Sequence, residues 1–433
     1  MTEYFDDSLV KDVFIKDISY LKPEYQPDEI EERGEEMDEY VNLLAPILKG
    51  WDADNIFLFG ESGVGKTLAT RTLLPELQQK AEDNGVDVDI VETNCSGSQS
   101  SYQAAIDIVN ELRSPTSPLT TIDLDEPELS RTGYPSSEVY EQLFEGLANG
   151  DDYVILVLDE IDGLGSDGEL LYQLTRGQSM GQLNSEICIV GISNDLYFKN
   201  NMKTSVRDTL CESEVHFPEY DSQDLQSILQ RRAEDAFYED ALSEDVIPLC
   251  AAVATKEHGS ARYAIRILRK ATQLAEDEVR NAPESTQPFE QVKERHVREA
   301  KRIVEEETVT RGIKNLSDSQ RYLLLSISQY HARAETPAGT SDIYATYEAT
   351  VKEHGKSAIS RRGAHNNLLS MVDKGILHIS NNARNQRGVP NRYSLVTDLE
   401  TVASALEESD QTDDGFILDD LRAEAREHGV LDE

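Results

Sequence analysis

The sequence predicts an α/β fold in which a parallel-sheet base is followed by a C-terminal winged helix-turn-helix. Three observations predict it. The octet Gly60-Glu61-Ser62-Gly63-Val64-Gly65-Lys66-Thr67 is a phosphate-loop pattern, Tyr153 to Leu158 is an unbroken apolar run ending in Asp159-Glu160, and the segment 356–392 is basic in an otherwise acidic chain.

The octet fits G-x-x-x-x-G-K-[ST] at every fixed position. It sits between an apolar run of strand length, Asn55 to Phe59, and a stretch of helical spacing, Leu68 to Leu74, which is the strand, loop and helix context that the motif requires. Glycines at 60, 63 and 65 let the backbone curl so that successive N–H groups converge, and the following helix offers its positive end to the same anion. Lys66 would set a point charge against the outer phosphates of ATP or ADP, and the Thr67 hydroxyl would join Mg²⁺.

The run Tyr153 to Leu158 reads as a buried parallel strand that delivers two carboxylates to its C-terminal edge. Asp159 is the candidate for Mg²⁺. Glu160 is the candidate general base toward the water that attacks the γ-phosphate. Ile187 to Asp195 is another buried strand, placed to bring the Asn194 amide between those carboxylates and the γ-phosphate. Leu225 to Phe237 and Ala261 to Val279 read as amphipathic helices, and Arg262 near the start of the second can reach a terminal phosphate and couple nucleotide state to a change of angle.

Toward the C-terminus the spacing predicts helices over Gln320–Tyr330, over Ser341–His354 with a Ser-Asp cap, and from about Ser357 or Ser360 to Lys374. The third has Ala364, Leu368 and Val372 for the core, with Arg361, Arg362, His365 and Asn366 on another face. Gly375 stops it. Ile376–Ile379 and Arg392–Val396 then bracket a turn rich in Asn, Arg and Gly, as in a hairpin. Three helices and a hairpin make a winged helix, whose third helix would enter a major groove of double-stranded DNA while Arg384, Arg387 and Arg392 touch backbone or minor groove.

Charge sharpens this. The 433 residues carry 41 Lys plus Arg against 83 Asp plus Glu, a net charge of −42, which by itself argues against a nucleic-acid partner. Strand and helix periodicity persists throughout, so the chain is expected to fold, and the acidity reads as adaptation to a salt-rich cytosol. Against that background residues 316–400 hold ten basic and eight acidic residues, and within 356–392 seven basic residues face one acid. A basic cluster retained there points to an anionic partner. Cys95, Cys188, Cys211 and Cys250 lack metal or redox spacing and are expected to be small buried hydrophobes. With no signal-like start and no membrane-length apolar run, the expected location is cytoplasmic, at the nucleoid, with no membrane partner.

In this order the motifs resemble those of the archaeal replication initiators of the AAA+ superfamily, the family related to origin recognition complex subunit 1 and cell division control protein 6. The resemblance runs from Val13-Phe14 and Tyr25 to Arg33 through LVLDEID at 156–162, GISND at 191–195, HFPEY at 216–220 and Ser260-Ala261-Arg262 into the winged helix. It implies an AAA+ base at 1–217 with its adenine-side lead-in, a helical lid at 218–312 and a winged-helix domain at 313–400. It implies Asn194 and Arg262 as the two nucleotide sensors, Tyr220 among the nucleotide-binding residues, and an extra DNA-touching helix around Ser98 to Leu112. It further implies weak ATP hydrolysis used as a switch, and as partners origin DNA, the replicative helicase and other initiator paralogues.

The chain departs from the family pattern in places. After the first sensor it reads Lys203-Thr204-Ser205-Val206-Arg207, so Arg207, and next Lys203, is the candidate for an arginine finger. Ser260 stands where the family usually has Asp. Residues 113–133 form a long linker, and 401–433, with two basic and eleven acidic residues, is expected to be a flexible tail holding one short helix. A nucleotide-sensing transcriptional regulator and a remodelling or clamp-loading AAA+ ATPase stay open as alternative readings.

Overall fold

The computed structural model describes residues 13–27, 30–98, 100–119, 128–150, 152–164, 168–181, 183, 185–195, 198, 202–210, 212–257, 259–281, 291–380, 391–408 and 415–431. The chain divides into two compact units, Met1–Val297 and Arg298–Glu433.

The first unit opens with α1 (Gly34–Leu44), then β1 (Asn55–Phe59), the phosphate loop and α2 (Lys66–Asp83), β2 (Val88–Asn94), α3 (Ser101–Leu112), α4 (Ser136–Leu147), β3 (Tyr153–Asp159), α5 (Glu169–Ser179), β4 (Glu186–Ser193), α6 (Thr204–Leu210) and β5 (Glu212–His216). The five strands form one parallel sheet in the order β2-β3-β4-β1-β5. β3 and β4 are apolar nearly end to end because helices cover both faces of a parallel sheet. β1 lies between β4 and β5, so the chain leaves β1 where the strand order reverses, the place where such sheets bind ligands. Register aligns the carboxyl ends: Phe59 pairs with Ser193, and Asn94 with Asp159.

Three helices complete this unit: α7 (Ser222–Ala236), α8 (Val246–Lys256) and α9 (Ala261–Asn281). α7 starts with a capping box in which Asp221 and Asp224 each accept from the other's backbone. It buries Leu225, Leu229, Ala233 and Ala236, one apolar stripe at helical spacing.

The extra helix exists as α3: Ala104, Ala105, Ile106, Ile108, Val109 and Leu112 are fully buried, while Tyr102, Gln103, Asp107 and Asn110 are half-buried and Glu111 is exposed. One expectation for the first unit is corrected: the described parts of 113–133 are no free linker, since Leu119 and Leu129 belong to the same core as α3 and Asn110 holds both the N–H and the carbonyl of Leu129. Cys95, Cys188 and Cys250 are buried and free; Cys211 lies outside the described residues.

The second unit takes in most of α10 (Glu294–Lys314), then α11 (Asp318–Ala332), β6 (Ala338–Gly339), α12 (Thr340–Glu353), α13 (Arg361–Asp373), β7 (Leu377–Ile379), β8 (Arg392–Leu395), α14 (Leu399–Glu408) and α15 (Gly415–Glu427). Its sheet is antiparallel in the order β6-β8-β7. This is a winged helix. Ser360 caps α13 by accepting from the Gly363 N–H at 3.2 Å. The expected Ser-Asp cap on α12 is absent: the helix begins one residue earlier, at Thr340, because Gly339 is paired to Arg392 in the sheet and the strand sets the start. Val372 is only partly buried, and Met371 joins Ala364 and Leu368 in the core.

The flexible tail is also corrected. α14 and α15 pack against α11 and bury Leu399, Val402, Ala403, Leu406, Leu418, Leu421 and Ala425. Arg422 bridges Glu400 at 2.9 Å and Glu407, and Arg333 holds Glu424 at 2.6 Å. The eleven acids concealed an apolar repeat of three and four residues. Because these helices cover it, α11 is buried on nearly every side, Gln320, Arg321, Ser326 and Ser328 included.

Candidate nucleotide site

The site is built where β1, β3 and β4 end. Gly60, Gly63 and Gly65 have φ of 153°, 82° and 104°, and Gly65 stands at the N-cap of α2. A Cβ at Gly63 would lie 2.1 Å from Ser260 Oγ and 3.1 Å from the Arg262 Cβ, so only glycine lets α9 come this close to the loop. Glu61 and Ser62 form the outer turn of the loop, Ser62 exposed, and Val64 is buried beneath it.

Lys66 is only 4 % exposed, and its Nζ donates to the carbonyls of Gly60 and Glu61, both at 2.7 Å, and to Asn194 Oδ1 at 2.9 Å. Burial pushes its amine down to about 8, against the opposing pull of Asp159, Asp162 and Glu61. Thr67 Oγ1 donates to Asp159 Oδ2 at 3.1 Å. Glu160 is half-buried, with φ of +53°, a left-handed conformation unusual for a side chain of this size and found most often where function requires it. Burial raises its carboxyl above the ordinary range, with Asp159 and Asp162 adding to the shift and Arg262 and Lys66 opposing it.

The structure therefore brings Lys66, Thr67, Asp159 and Asn194 into one cluster, in which Lys66 is bonded to Asn194 and the adjacent Thr67 to Asp159, with Glu160 and Arg262 close enough for their charges to be felt. Arg262 is exposed at the start of α9, and the Ala261 N–H before it donates to the Gly63 carbonyl at 3.1 Å. Ser260 keeps a capping role despite replacing the usual Asp, its Oγ accepting from the Tyr263 N–H at 3.3 Å. Tyr220 is buried; its N–H donates to the Gly259 carbonyl at 3.2 Å, and its hydroxyl would meet a Cβ on Gly65 at 3.2 Å. No hydrogen bond among the described residues brings Arg207, half-buried on α6, into the cluster.

These groups fit a magnesium nucleotide. The Thr67 hydroxyl and the Asp159 carboxylate are hard oxygen donors side by side, and no group of three His, Cys, Asp or Glu side chains among the described residues could hold a metal alone. A Mg²⁺ ion held here would thus draw its other ligands from phosphate and water.

Two residues that sequence reasoning left without a role stand beside them. Asp162 accepts from the Ser193 hydroxyl at 2.9 Å and the Asn194 N–H at 3.2 Å, which fixes the Asn194 backbone. Arg33, 2 % exposed, donates to the Val64 carbonyl at 3.1 Å. Its signal was a single basic residue in the acidic run EIEERGEE.

In the second unit Arg361, Arg362 and Asn366 are exposed on α13 and His365 is half-buried, with the Arg361 guanidinium 5.7 Å from the Tyr344 ring centre. Arg392 is exposed as well, but its Nε and Nη2 donate to the Pro337 carbonyl at 2.9 and 2.6 Å, because β8 lies beside that segment. Arg384 and Arg387 lie outside the described residues. No described helix is long and apolar enough to cross a membrane.

Comparison with known proteins agrees with this anatomy. Family models for an AAA domain, the Cdc6 AAA+ ATPase-type lid and the CDC6 C-terminal winged helix match residues 52–190, 226–302 and 311–405. The chain is 40 % identical over 395 residues to ORC1-type DNA replication protein 8 of Halobacterium salinarum, covering 90 % of this chain and 95 % of that protein. It is 38 % identical over 377 residues to ORC1-type DNA replication protein 15 of Haloarcula marismortui, covering 87 % and 88 %. The Aeropyrum pernix ORC1 protein, solved in complex with DNA, matches with a TM-score of 0.73 and 31 % identity over 92 % of this chain and 98 % of that one. The chain belongs to the ORC1-type family of AAA+ DNA replication proteins, related to Orc1 and Cdc6.

Proposed function

We propose that this protein is an ATP-switched replication initiator that binds double-stranded origin DNA and helps to load the replicative helicase, alone or with initiator paralogues. One observation carries the switch: the Ala261 N–H of the lid helix α9 rests on the Gly63 carbonyl of the phosphate loop, with Arg262 beside it. A nucleotide in the loop has to meet lid and base together, so its phosphates bias the lid angle. In this reading Lys66 holds the outer phosphates, Asn194 orients the γ-phosphate and Arg262 answers to its presence. Glu160, its carboxyl raised by burial and so a stronger proton acceptor, takes a proton from the attacking water. Mg²⁺ on Thr67 and Asp159 would neutralise phosphate charge. Turnover is slow because binding is the output, and Arg207 is the arginine-finger candidate. On DNA, α13 supplies Arg361, Arg362, His365 and Asn366 to the major groove.

The test is genome-wide occupancy of the tagged native chain and of Lys66→Ala, compared with mapped replication starts. The proposal expects peaks at a few replication starts that weaken in the variant. Peaks spread over promoters would make the protein a nucleotide-sensing regulator, and unchanged peaks in the variant would remove ATP from the account.

A further inference from the structure

We infer that Arg33 is a positioning residue that couples the phosphate loop to the base–lid hinge, an inference that rests on the nucleotide-switch reading above. Arg33 sits at the N-cap of α1 with φ of −136°, and its guanidinium is directed inward among elements far apart in sequence. Its Nε donates to Val64 O at 3.1 Å, its Nη2 to Pro218 O at 2.5 Å and its Nη1 to Glu36 at 3.1 Å. The guanidinium carbon lies 3.7 Å from the centre of the Tyr220 ring and 5.8 Å from that of Phe217. A buried cation is costly unless its donors are satisfied, and here each guanidinium nitrogen has a partner and the flat face is stacked.

The partners define the role. Val64 is in the phosphate loop, and Pro218 lies in the strip joining β5 to α7, where the base ends and the lid begins. A trans peptide holds its C=O and N–H antiparallel. The bond to Val64 O therefore aims the Gly65 N–H away from Arg33, on the side where a phosphate-binding loop needs its donors. From the hinge side, Tyr220 continues the path: its hydroxyl abuts Gly65 and its N–H is bonded to Gly259, the residue before Ser260-Ala261-Arg262. A Cβ on Gly259 would come within 2.5 Å of the Tyr220 carbonyl, so the two segments touch with no room to slip. A shift of the Val64–Gly65 peptide on phosphate binding would thus pull on Pro218 and Tyr220 through one rigid fork. A lysine could not reproduce this, because it has no plane to stack and no fixed angle between donors.

Hydrogen–deuterium exchange on the full chain, with and without Mg·ATP, tests the inference. In the native chain ATP should slow exchange in the loop (60–67), in the hinge (217–225) and at the start of α9 (259–263). In Arg33→Met the loop should still be protected by saturating ATP while hinge and α9 protection is lost. A purely structural role would instead raise exchange everywhere by an amount indifferent to nucleotide. Arg33→Lys decides the matter if Arg33→Met fails to fold or to bind: it should bind ATP within about threefold of the native chain yet transmit roughly half the hinge protection or less. Native-like hinge protection in whichever variant binds overturns the role of Arg33 and leaves the switch intact. A native chain that shows no ATP-dependent protection anywhere sinks the switch itself.

Discussion

At the scale of single residues, the site poses two charged groups away from their ordinary titration. Lys66 holds its proton only up to about pH 8, because burial disfavours the ammonium more than the nearby carboxylates restore it. Phosphate binding needs that ammonium, so ATP affinity should be flat below pH 8 and fall by up to about tenfold for each unit above it. Titration with a fluorescent ATP analogue between pH 7 and 10 checks this; an affinity level to pH 9.5 would mean that Lys66 stays charged. Glu160 is shifted upward by burial and by its acidic neighbours, and its backbone is held in a left-handed turn. Replacing it by Gln removes the proton acceptor while keeping shape and hydrogen bonding, so Glu160→Gln should bind ATP normally and hydrolyse it about 10² to 10³ times more slowly. Single-turnover assays would show this, and equal loss of binding and hydrolysis would assign Glu160 to nucleotide affinity.

At the scale of elements, what could be read from the sequence follows the physics of each segment. β1 and β3 were legible to within a residue because a strand covered on both faces is an unbroken apolar run, and the octet between β1 and α2 admits few other structures. The start of α12 was not legible, since it is set by the pairing of Gly339 with Arg392 more than fifty residues away. Arg33 was hidden for a similar reason: its partners Val64 and Pro218 come from distant turns, and only the fold brings them together. The tail misled through composition. Its net acidity masked Leu418, Leu421 and Ala425, which with Val402 and Leu406 close the winged-helix core. Leu418→Ala and Leu421→Ala should each cost the winged-helix unit about 2 to 4 kcal/mol, as full-size cavities in a packed core do. A melt of the full chain resolving the two units checks this; an unchanged winged-helix transition would return α15 to the status of a loose tail.

At the scale of the whole molecule, the net charge of −42 and the locally basic 316–400 have to be reconciled with the proposed DNA binding in a salt-rich cytosol. Each neutralised phosphate contributes a slope of roughly −0.9 in log affinity against log salt, so about five such contacts lose on the order of 10⁴ to 10⁵ for a tenfold rise in salt. A protein whose acidity is an adaptation to concentrated salt, as its composition suggests, could not rely on that attraction, and the acidic remainder of the chain would repel random DNA besides. Useful affinity must then come from contacts that salt does not screen away, chiefly bidentate hydrogen bonds to base edges. The structure narrows the donors. Arg392, itself exposed, commits two donors to the Pro337 carbonyl, whereas Arg361, Arg362 and Asn366 stand exposed on the helix α13. Arg361→Ala should therefore weaken binding to an origin site by about 1 to 3 kcal/mol while leaving the weaker affinity for random DNA nearly unchanged. Anisotropy titrations of both DNAs between about 0.5 and 2 M KCl, a range in which the Debye length falls to a few ångströms, make the comparison. An equal loss on both DNAs would place Arg361 on the phosphate backbone, and specificity would have to come from DNA shape.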